Sequence, residues 1–427
     1  GTVRPVARLR GRLAVPSDKS IAHRALILGA LSGGPAAVEV RSPGRDVLST
    51  VTCLRTLGVT IDEADAGGTA RFTLSGRPSR DATVDCGNSG TTMRLLAGAL
   101  AGFPLRVVLD GDASLRTRPM ERVASLLRAA GAEVATTEGR APMTVVGRTP
   151  LTAVAQRLPV ASAQLVGAAA LAALAAPGET RIQSPGPTRD HTERMLSAAG
   201  VDIQREAAGS GGAVTTVRGP ARPGPLSIDV PGDLSSAAPW LVAAALHPDA
   251  DVTIEDVGLN PTRTALLDLL RRAGADVEAA VSEVRHGEPV GEVRVRGGRP
   301  LAPILVEGAE AAALIDELPL VGVLMAAAGG ELRDASELRV KESDRISATV
   351  AGLAAIGASA SELPDGWRVE PGRARAARIA THGDHRIAIA FAVAAMAGLA
   401  PALELDDPLC VGVSYPSFWS DLREIHG

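Results

Sequence analysis

Residues 15–34 read VPSDKSIAHRALILGALSGG: a short β-like run, a small polar turn, then an apolar, alanine-rich helix stopped by paired glycines. The same pattern returns as DCGNSGTTMRLLAGALAGFP (85–104) and LPVASAQLVGAAALAALAAPG (158–178). It returns again as VPGDLSSAAPWLVAAALHP (230–248), LIDELPLVGVLMAAAGG (314–330) and THGDHRIAIAFAVAAMAG (381–398). These helices open near Ser20, Ser89, Ser162, Ser235, Asp316 and Asp384, at spacings of 69, 73, 73, 81 and 68 residues. A period of this length marks a supersecondary unit copied along the chain.

A second series keeps the same period. After each first helix comes a short strand such as AVEV, LRVVL or DVTIED, and then a second helix. The second helices open near Arg45, Arg118, Arg189, Asn260, Lys341 and Tyr415, at spacings of 73, 71, 71, 81 and 74. Five of them end on LGVTI, AGAEV, AGVDI, AGADV or IGASA, where a glycine stops the helix and a strand begins. Each unit is therefore β-α-β-α-β-β, and the expected class is α/β with six repeats. The last unit lacks its closing strands, and the N-terminal ARLRGRLAVP (7–16) can supply one, making the architecture circular. A break near ARPGPLS (221–227) divides the units three and three. The expected lobes are residues 18–227, and residues 1–17 with 228–427, with a cleft between them for the active site.

Composition excludes several function classes. Of 427 residues, 46% are hydrophobic and 22% charged, enough for a sizeable core and too ordered a balance for a disordered chain. A net charge of −4 and only 2% aromatics argue against nucleic acid held by bulk positive charge or by base stacking. Cys53, Cys86 and Cys410 form no CxxC, which excludes a disulfide framework and a cysteine zinc site and fits a reducing, cytoplasmic compartment. Gly1–Arg12 carries four arginines and no apolar run, so no secretory signal is expected there. The 17 mostly small residues of Ile387–Leu403 are too short and weakly apolar to span a bilayer and read as a buried helix. No membrane or nucleic-acid partner is expected.

Of 44 basic residues only Lys19 and Lys341 are lysine, and the only asparagines are Asn88 and Asn260. A chain that builds its surface from arginine keeps lysine where a compact, tunable ammonium matters. Asn260-Pro-Thr reads as a helix N-cap followed by proline in the first turn; Asn88 has no such explanation. Ser235 and Ser236 are likewise expected to cap their helix.

Helix N-termini gather anions, because free N–H groups and the helix dipole point at one spot. Lys19, Ser20, Asn88, Ser89, Gly90, Ser162 and Gln164 lie at those turns. Cations cluster with them (Arg24, Arg94, Arg116, Arg118, Arg189, Lys341, Arg345, Arg386), beside Asp18, Asp316, Glu317, Glu342, Asp344 and Asp384. An acidic protein that concentrates cations at one set of turns is suited to a small, strongly anionic ligand. No GxxxxGK[ST] follows a strand, which excludes a P-loop. His23, His382 and His385 lack metal spacing and read as hydrogen-bonding residues. On one helix face, Lys341 and Arg345 would repel each other unless an anion lay between them.

PSDKSIAHRALIL, GNSGTTMRLLAG, TRPM, SAQL, TRDHTERML, ELRVKESDR and GDHRIAIAF, in this order from Val15 to Trp419, resemble the 5-enolpyruvylshikimate-3-phosphate synthase family. The resemblance implies a two-lobe inside-out α/β barrel, in agreement with the six repeats. It implies transfer of the enolpyruvyl group of phosphoenolpyruvate to the 5-hydroxyl of shikimate 3-phosphate, with release of phosphate and no metal or organic cofactor. Carried over residue by residue, it sets Lys19 between both substrates. Ser20, Arg24, Ser162, Ala163, Gln164, Arg189, Asp316 and Lys341 would then meet shikimate 3-phosphate. Asn88, Gly90, Arg118, Gln164, Arg345 and Arg386 would meet phosphoenolpyruvate. Asp316, aided by Lys341, is the implied base for the 5-hydroxyl, and Glu342 the implied acid for the methylene carbon. The spacing alone allows either carboxyl to take either part.

Three positions depart from the family pattern. Ala163 stands where many relatives have a second serine, and Ser414 where others carry a lysine. SAQ and TRDHTE resemble the glyphosate-tolerant branch, whereas Gly90 is retained where some tolerant members carry alanine. The rival UDP-N-acetylglucosamine enolpyruvyl transferase has a catalytic cysteine in the loop where this chain has Ala113, which counts against it. A catalytically dead metabolite sensor or nucleic-acid clamp built from similar repeats would have no reason to retain Lys19, Asp316, Lys341 and Glu342 together. A monomer is expected.

Overall fold

The computed structural model describes residues 1–209 and 211–425. Among these the strands form six sheets, five of four strands and one of three, one sheet per repeat. Repeat two shows the unit in full. Strand Ala82–Asp85 leads into helix Gly90–Leu100, which returns as strand Arg106–Asp110, parallel to the first. Helix Glu121–Ala129 follows, and the hairpin Glu133–Thr137/Arg140–Val146 completes the sheet antiparallel. Ends such as Gly131 and Gly357, both in the left-handed region, stop the second helices where the glycine signals predict.

The six first helices are Lys19–Ser32, Gly90–Leu100, Ala163–Ala173, Leu234–Leu246, Leu318–Ala328 and His385–Met396. They are apolar all round and bury nearly every residue, as His385–Met396 does completely. The second helices are amphipathic: in Ala265–Arg272, Leu266, Leu267, Leu269 and Leu270 turn inward and Asp268, Arg271 and Arg272 outward. Strands such as Ala36–Arg41 alternate buried and half-buried residues, with one face to the core. In each unit helices therefore fill the middle and sheets lie outside them. Among the described residues no helix is long and apolar enough to cross a membrane.

Contacts divide the chain into two units. Lys19–Val230 with Val284–Glu288 forms the first, and Gly1–Asp18, Pro231–Glu283 and the chain from Pro289 onward form the second. Each has its own hydrophobic core. Where the chain passes from one unit to the other, strands are exchanged. Leu9–Leu13 precedes the first helix of repeat one, yet pairs in parallel with Ala250–Gly258 of repeat four. Ser227–Asp229 precedes the first helix of repeat four, yet pairs in parallel with Ala36–Arg41 of repeat one. The expectation that residues 7–16 would close the last repeat is thus corrected. Leu9 and Leu13 fill the first-strand place left in repeat four, and Thr2–Val3 closes the last sheet against Leu403–Leu405.

The strands Asp276–Arg285 and Glu288–Arg296 are 10 and 9 residues long, and the tip between them belongs to the first unit. There Glu288 meets His191 Nδ1 at 2.8 Å with both side chains buried, and Arg194 donates to the Gly287 carbonyl at 2.9 Å.

The first helices of repeats two and three touch backbone to backbone. A Cβ on Gly98 would lie 2.3 Å from the carbonyl oxygen of Ala168, which no side-chain rearrangement relieves. Gly98→Ala is expected to lower the stability of the first unit by about 1–3 kcal/mol through overpacking, read as a lower unfolding midpoint by circular dichroism; an unchanged midpoint would contradict this contact.

Candidate active site

In the first unit, side chains tie together the N-terminal ends of three first helices. Lys19, the first residue of its helix, is half-buried, with Nζ 3.3 Å from Asp46 Oδ2. Arg24, one turn on and buried, donates from Nη1 to the Ser20 carbonyl at 2.9 Å and from Nε to Thr192 Oγ1 at 2.7 Å. Thr192 stands in helix His191–Ala198, immediately after the half-buried Arg189 and its neighbour Asp190. Ser89 caps helix Gly90–Leu100, accepting from Thr92 N at 3.1 Å, and Ser162 caps Ala163–Ala173. Between those two caps, Gln164 accepts from Arg94 Nη1 at 2.7 Å and donates to Thr91 Oγ1 at 2.9 Å. Asn88 accepts from Arg118 Nη2 at 2.6 Å and donates to Asp112 at 2.9 Å. A Cβ on Gly90 would stand 2.7 Å from Arg94 Nη1, so the missing side chain leaves room for this guanidinium.

In the second unit a buried charge cluster occupies the corresponding turns. Arg345 opens helix Arg345–Ile356 and is 1% exposed, so its charge must be met by protein groups. Its Nε donates to Asp384 Oδ2 at 2.8 Å and its Nη2 to Glu342 Oε2 at 2.6 Å, while Asp316 Oδ1 lies 3.8 Å from Nη1. Asp384 also caps the last first helix, accepting from Arg386 N at 2.9 Å. Burial opposes the charge of Arg345, but Glu342, Asp384 and Asp316 outweigh it and raise its pKa further. Burial pushes Asp384 up, and Arg345 brings it below the usual carboxylate range. Arg386 points Nη1 at the Ser235 carbonyl, 3.5 Å away. That carbonyl lacks its helical partner because Pro239, four residues on, has no N–H.

Three local expectations are corrected. Asn260 accepts from Thr262 N at 2.9 Å, but the helix begins only at Ala265, so Asn260 shapes a turn and does not cap. Asp233, not Ser235 or Ser236, caps Leu234–Leu246, because its carboxylate reaches the Ser235 N–H at 2.8 Å. Ser235 instead donates to Glu317 and accepts from Arg263 at 2.7 Å. Finally, the helix expected near Lys341 opens at Arg345, with Asp344 as its cap. Lys341 and Glu342 lie in the loop before it, both half-buried, so Lys341 and Arg345 do not share a helix face.

Lys19, Ser20, Arg24, Asn88, Gly90, Arg118, Ser162, Ala163, Gln164 and Arg189 thus belong to the first unit, and Asp316, Lys341, Glu342, Arg345 and Arg386 to the second. The reading of sequence missed Asp46 as the partner of Lys19, and missed Arg263 altogether. Arg263 is buried, 2.8 Å from Asp233 and 3.9 Å from Asp18. A signal for it existed: an arginine stands near the start of the second helix in repeats one to three, as Arg45, Arg118 and Arg189, and returns as Arg263 and Arg345.

Comparison with known proteins places the chain in a family. Residues 3–422 match the family model described as EPSP synthase (3-phosphoshikimate 1-carboxyvinyltransferase). The chain is 46% identical over 430 residues to 3-phosphoshikimate 1-carboxyvinyltransferase of Roseiflexus castenholzii, covering 98% of this chain and 97% of that protein. It is 43% identical over 444 residues to the protein of the same name in Herpetosiphon aurantiacus, covering 99% of each. The solved EPSP synthase of Acinetobacter baumannii superposes with a TM-score of 0.86 at 36% identity, over 99% of this chain and 97% of that one. The enolpyruvyl transferase NikO of Streptomyces tendae shares the fold, with a TM-score of 0.77 at 19% identity over 99% of this chain and 96% of that one. The repeats, the turn motifs and the full-length match together mean that this chain belongs to the EPSP synthase (3-phosphoshikimate 1-carboxyvinyltransferase) family.

Proposed function

We propose that the charged turns described above bind the two substrates shikimate 3-phosphate and phosphoenolpyruvate. The chain is an enolpyruvyl transferase of the shikimate pathway, moving the enolpyruvyl group to the 5-hydroxyl and releasing phosphate. Each substrate carries a phosphate and a carboxylate, which guanidinium forks and helix N-termini suit. On this reading Lys19, Ser20, Arg24, Ser162, Gln164 and Arg189 serve the shikimate phosphate side. Asn88, Gly90, Arg118, Arg345 and Arg386 serve phosphoenolpyruvate. Ala163 offers only its backbone. A monomer in the cytoplasm completes the proposal.

The observation that carries this reading is the Arg345 cluster, in which Glu342 and Asp316 flank one buried guanidinium beside Lys341 in sequence. Addition requires a hydroxyl oxygen to attack the enol carbon while its proton leaves and the methylene carbon gains one. Elimination then removes a proton from the new methyl group as phosphate departs. One carboxyl must be ionised and another protonated for the first step. Asp316, near Arg345 and helped by Lys341, is suited to stay ionised as the base. Glu342 shares Arg345 with Asp384, so an incoming substrate anion competes with it for the guanidinium. A carboxylate that loses its cation and gains an anionic neighbour takes up a proton more readily, which suits Glu342 to the acid role.

Purified protein given shikimate 3-phosphate and phosphoenolpyruvate is expected to release phosphate, and none when UDP-N-acetylglucosamine replaces shikimate 3-phosphate; the reverse preference would overturn the assignment. Glu342→Gln is expected to lower kcat by about 10²- to 10⁴-fold, the usual worth of a positioned proton donor. A Gln variant at full rate would remove Glu342 from that role.

A further inference from the structure

Four side chains of the first unit form a continuous line of hydrogen bonds leading to the Asn88–Gly90 turn. His23 Nδ1 meets Thr50 Oγ1 at 2.7 Å, Thr50 meets Thr92 Oγ1 at 2.7 Å, and Thr92 donates to Ser89 Oγ at 2.7 Å. All four residues are buried, with Ser89 the most accessible at 1%. They stand on three helices: His23 on Lys19–Ser32, Thr50 on Arg45–Thr56, and Ser89 and Thr92 at the start of Gly90–Leu100. A polar chain in an apolar core is costly unless every member is satisfied, and when satisfied it fixes a unique arrangement.

The line has a direction. Thr92 gives its hydroxyl proton to Ser89, so the Thr92 oxygen accepts from Thr50, and Thr50 in turn accepts from His23. The imidazole proton therefore sits on Nδ1, and the buried Nε2, which has no hydrogen-bond partner among the described residues, is a lone pair and not an orphaned donor. Burial pushes the His23 pKa down to about 3, with Asp46 opposing and Lys19 and Arg24 adding to the shift, so the ring is neutral. Ser89, at the far end, accepts from both the hydroxyl and the N–H of Thr92 and caps the helix whose first turn carries Gly90.

Resting on the reading of Asn88–Gly90 as a phosphoenolpyruvate site, we infer that His23 is a positioning residue for that turn, holding Ser89 in its capping rotamer through Thr50 and Thr92. Without the His23 donor, Thr50 is free to rotate. Thr92 then has an alternative acceptor in the Asp46 carbonyl, 3.5 Å away. A turn from Ser89 toward that carbonyl loosens the cap, and with it the backbone N–H groups that open the helix.

Steady-state phosphate release by the whole protein, with each substrate varied in turn, tests the inference. His23→Leu keeps the volume and removes the donor; it is expected to raise KM for phosphoenolpyruvate about five- to tenfold, the worth of about one net hydrogen bond, with kcat and KM for shikimate 3-phosphate within about twofold. His23→Asn is expected to restore the native KM, because the Asn Nδ2 is bonded to Cγ as Nδ1 is in the ring. Thr50→Val should reproduce the Leu variant by breaking the line one step on, and serves where the Leu variant does not fold. Amide hydrogen exchange at Thr92, whose N–H meets Ser89, reads the cap without substrate: faster in His23→Leu and Thr50→Val, native in His23→Asn. An unmoved KM with native exchange in the folded Leu or Val variant would overturn the relay, as would an Asn variant no better than Leu. Loss of phosphate release by the native protein, with exchange moving as expected, would reject the substrate assignment and leave the relay standing.

Discussion

A guanidinium taken out of water has to be met by carboxylates, and the second unit is organised around that demand. Arg345 is held by Glu342 and Asp384, with Asp316 close by. Asp384 in turn caps the helix that starts with His385 and Arg386. The cluster thus sets the geometry of the loop from Lys341 to Asp344 and the start of two helices. Removing Arg345 would leave Asp384 buried without its ion pair, which is far more costly than the loss of a surface ion pair. Glu342, Asp384 and Arg345 therefore hold their own scaffold in register.

In the first unit many of the ties between helix ends are made by neutral groups. There the helix ends are tied by Gln164 to Arg94 and Thr91, by Arg24 to Thr192, and by the hydroxyls of Thr50, Thr92 and Ser89 to His23. Lys19 needs only Asp46 beside it and remains half-exposed. One unit thus presents a compact ammonium and donor-rich helix ends, and the other presents carboxylates around a fixed guanidinium.

Much of this was legible in the chain because the repeats punctuate themselves. Alanine-rich helices ended by glycine return at a steady period, and rare lysine and asparagine stand out against an arginine-built surface. Pairings between distant strands were not legible, since a period-2 pattern in Leu9–Leu13 tells which face is buried and not which sheet edge it joins. Ser235 does not cap because the helix already starts at Leu234, where Asp233 accepts from the Ser235 N–H. Asn260 was misread because its Asx turn resembles a cap locally, while the helix waits until Ala265. Arg263 is masked in the sequence by Asn260, three residues earlier, which carries the stronger local turn signal. The roles of Pro239 and His23 lie in contacts between separate helices, which no local signal carries.

The proposed function stands on the charged turns being the places where the two substrates bind. A crystal structure of the protein with shikimate 3-phosphate and phosphoenolpyruvate bound tests it most directly. Lys19, Arg24 and Lys341 are expected in contact with shikimate 3-phosphate, and Arg345 with phosphoenolpyruvate. Substrates bound away from these residues, with either lysine turned into solvent, would contradict it.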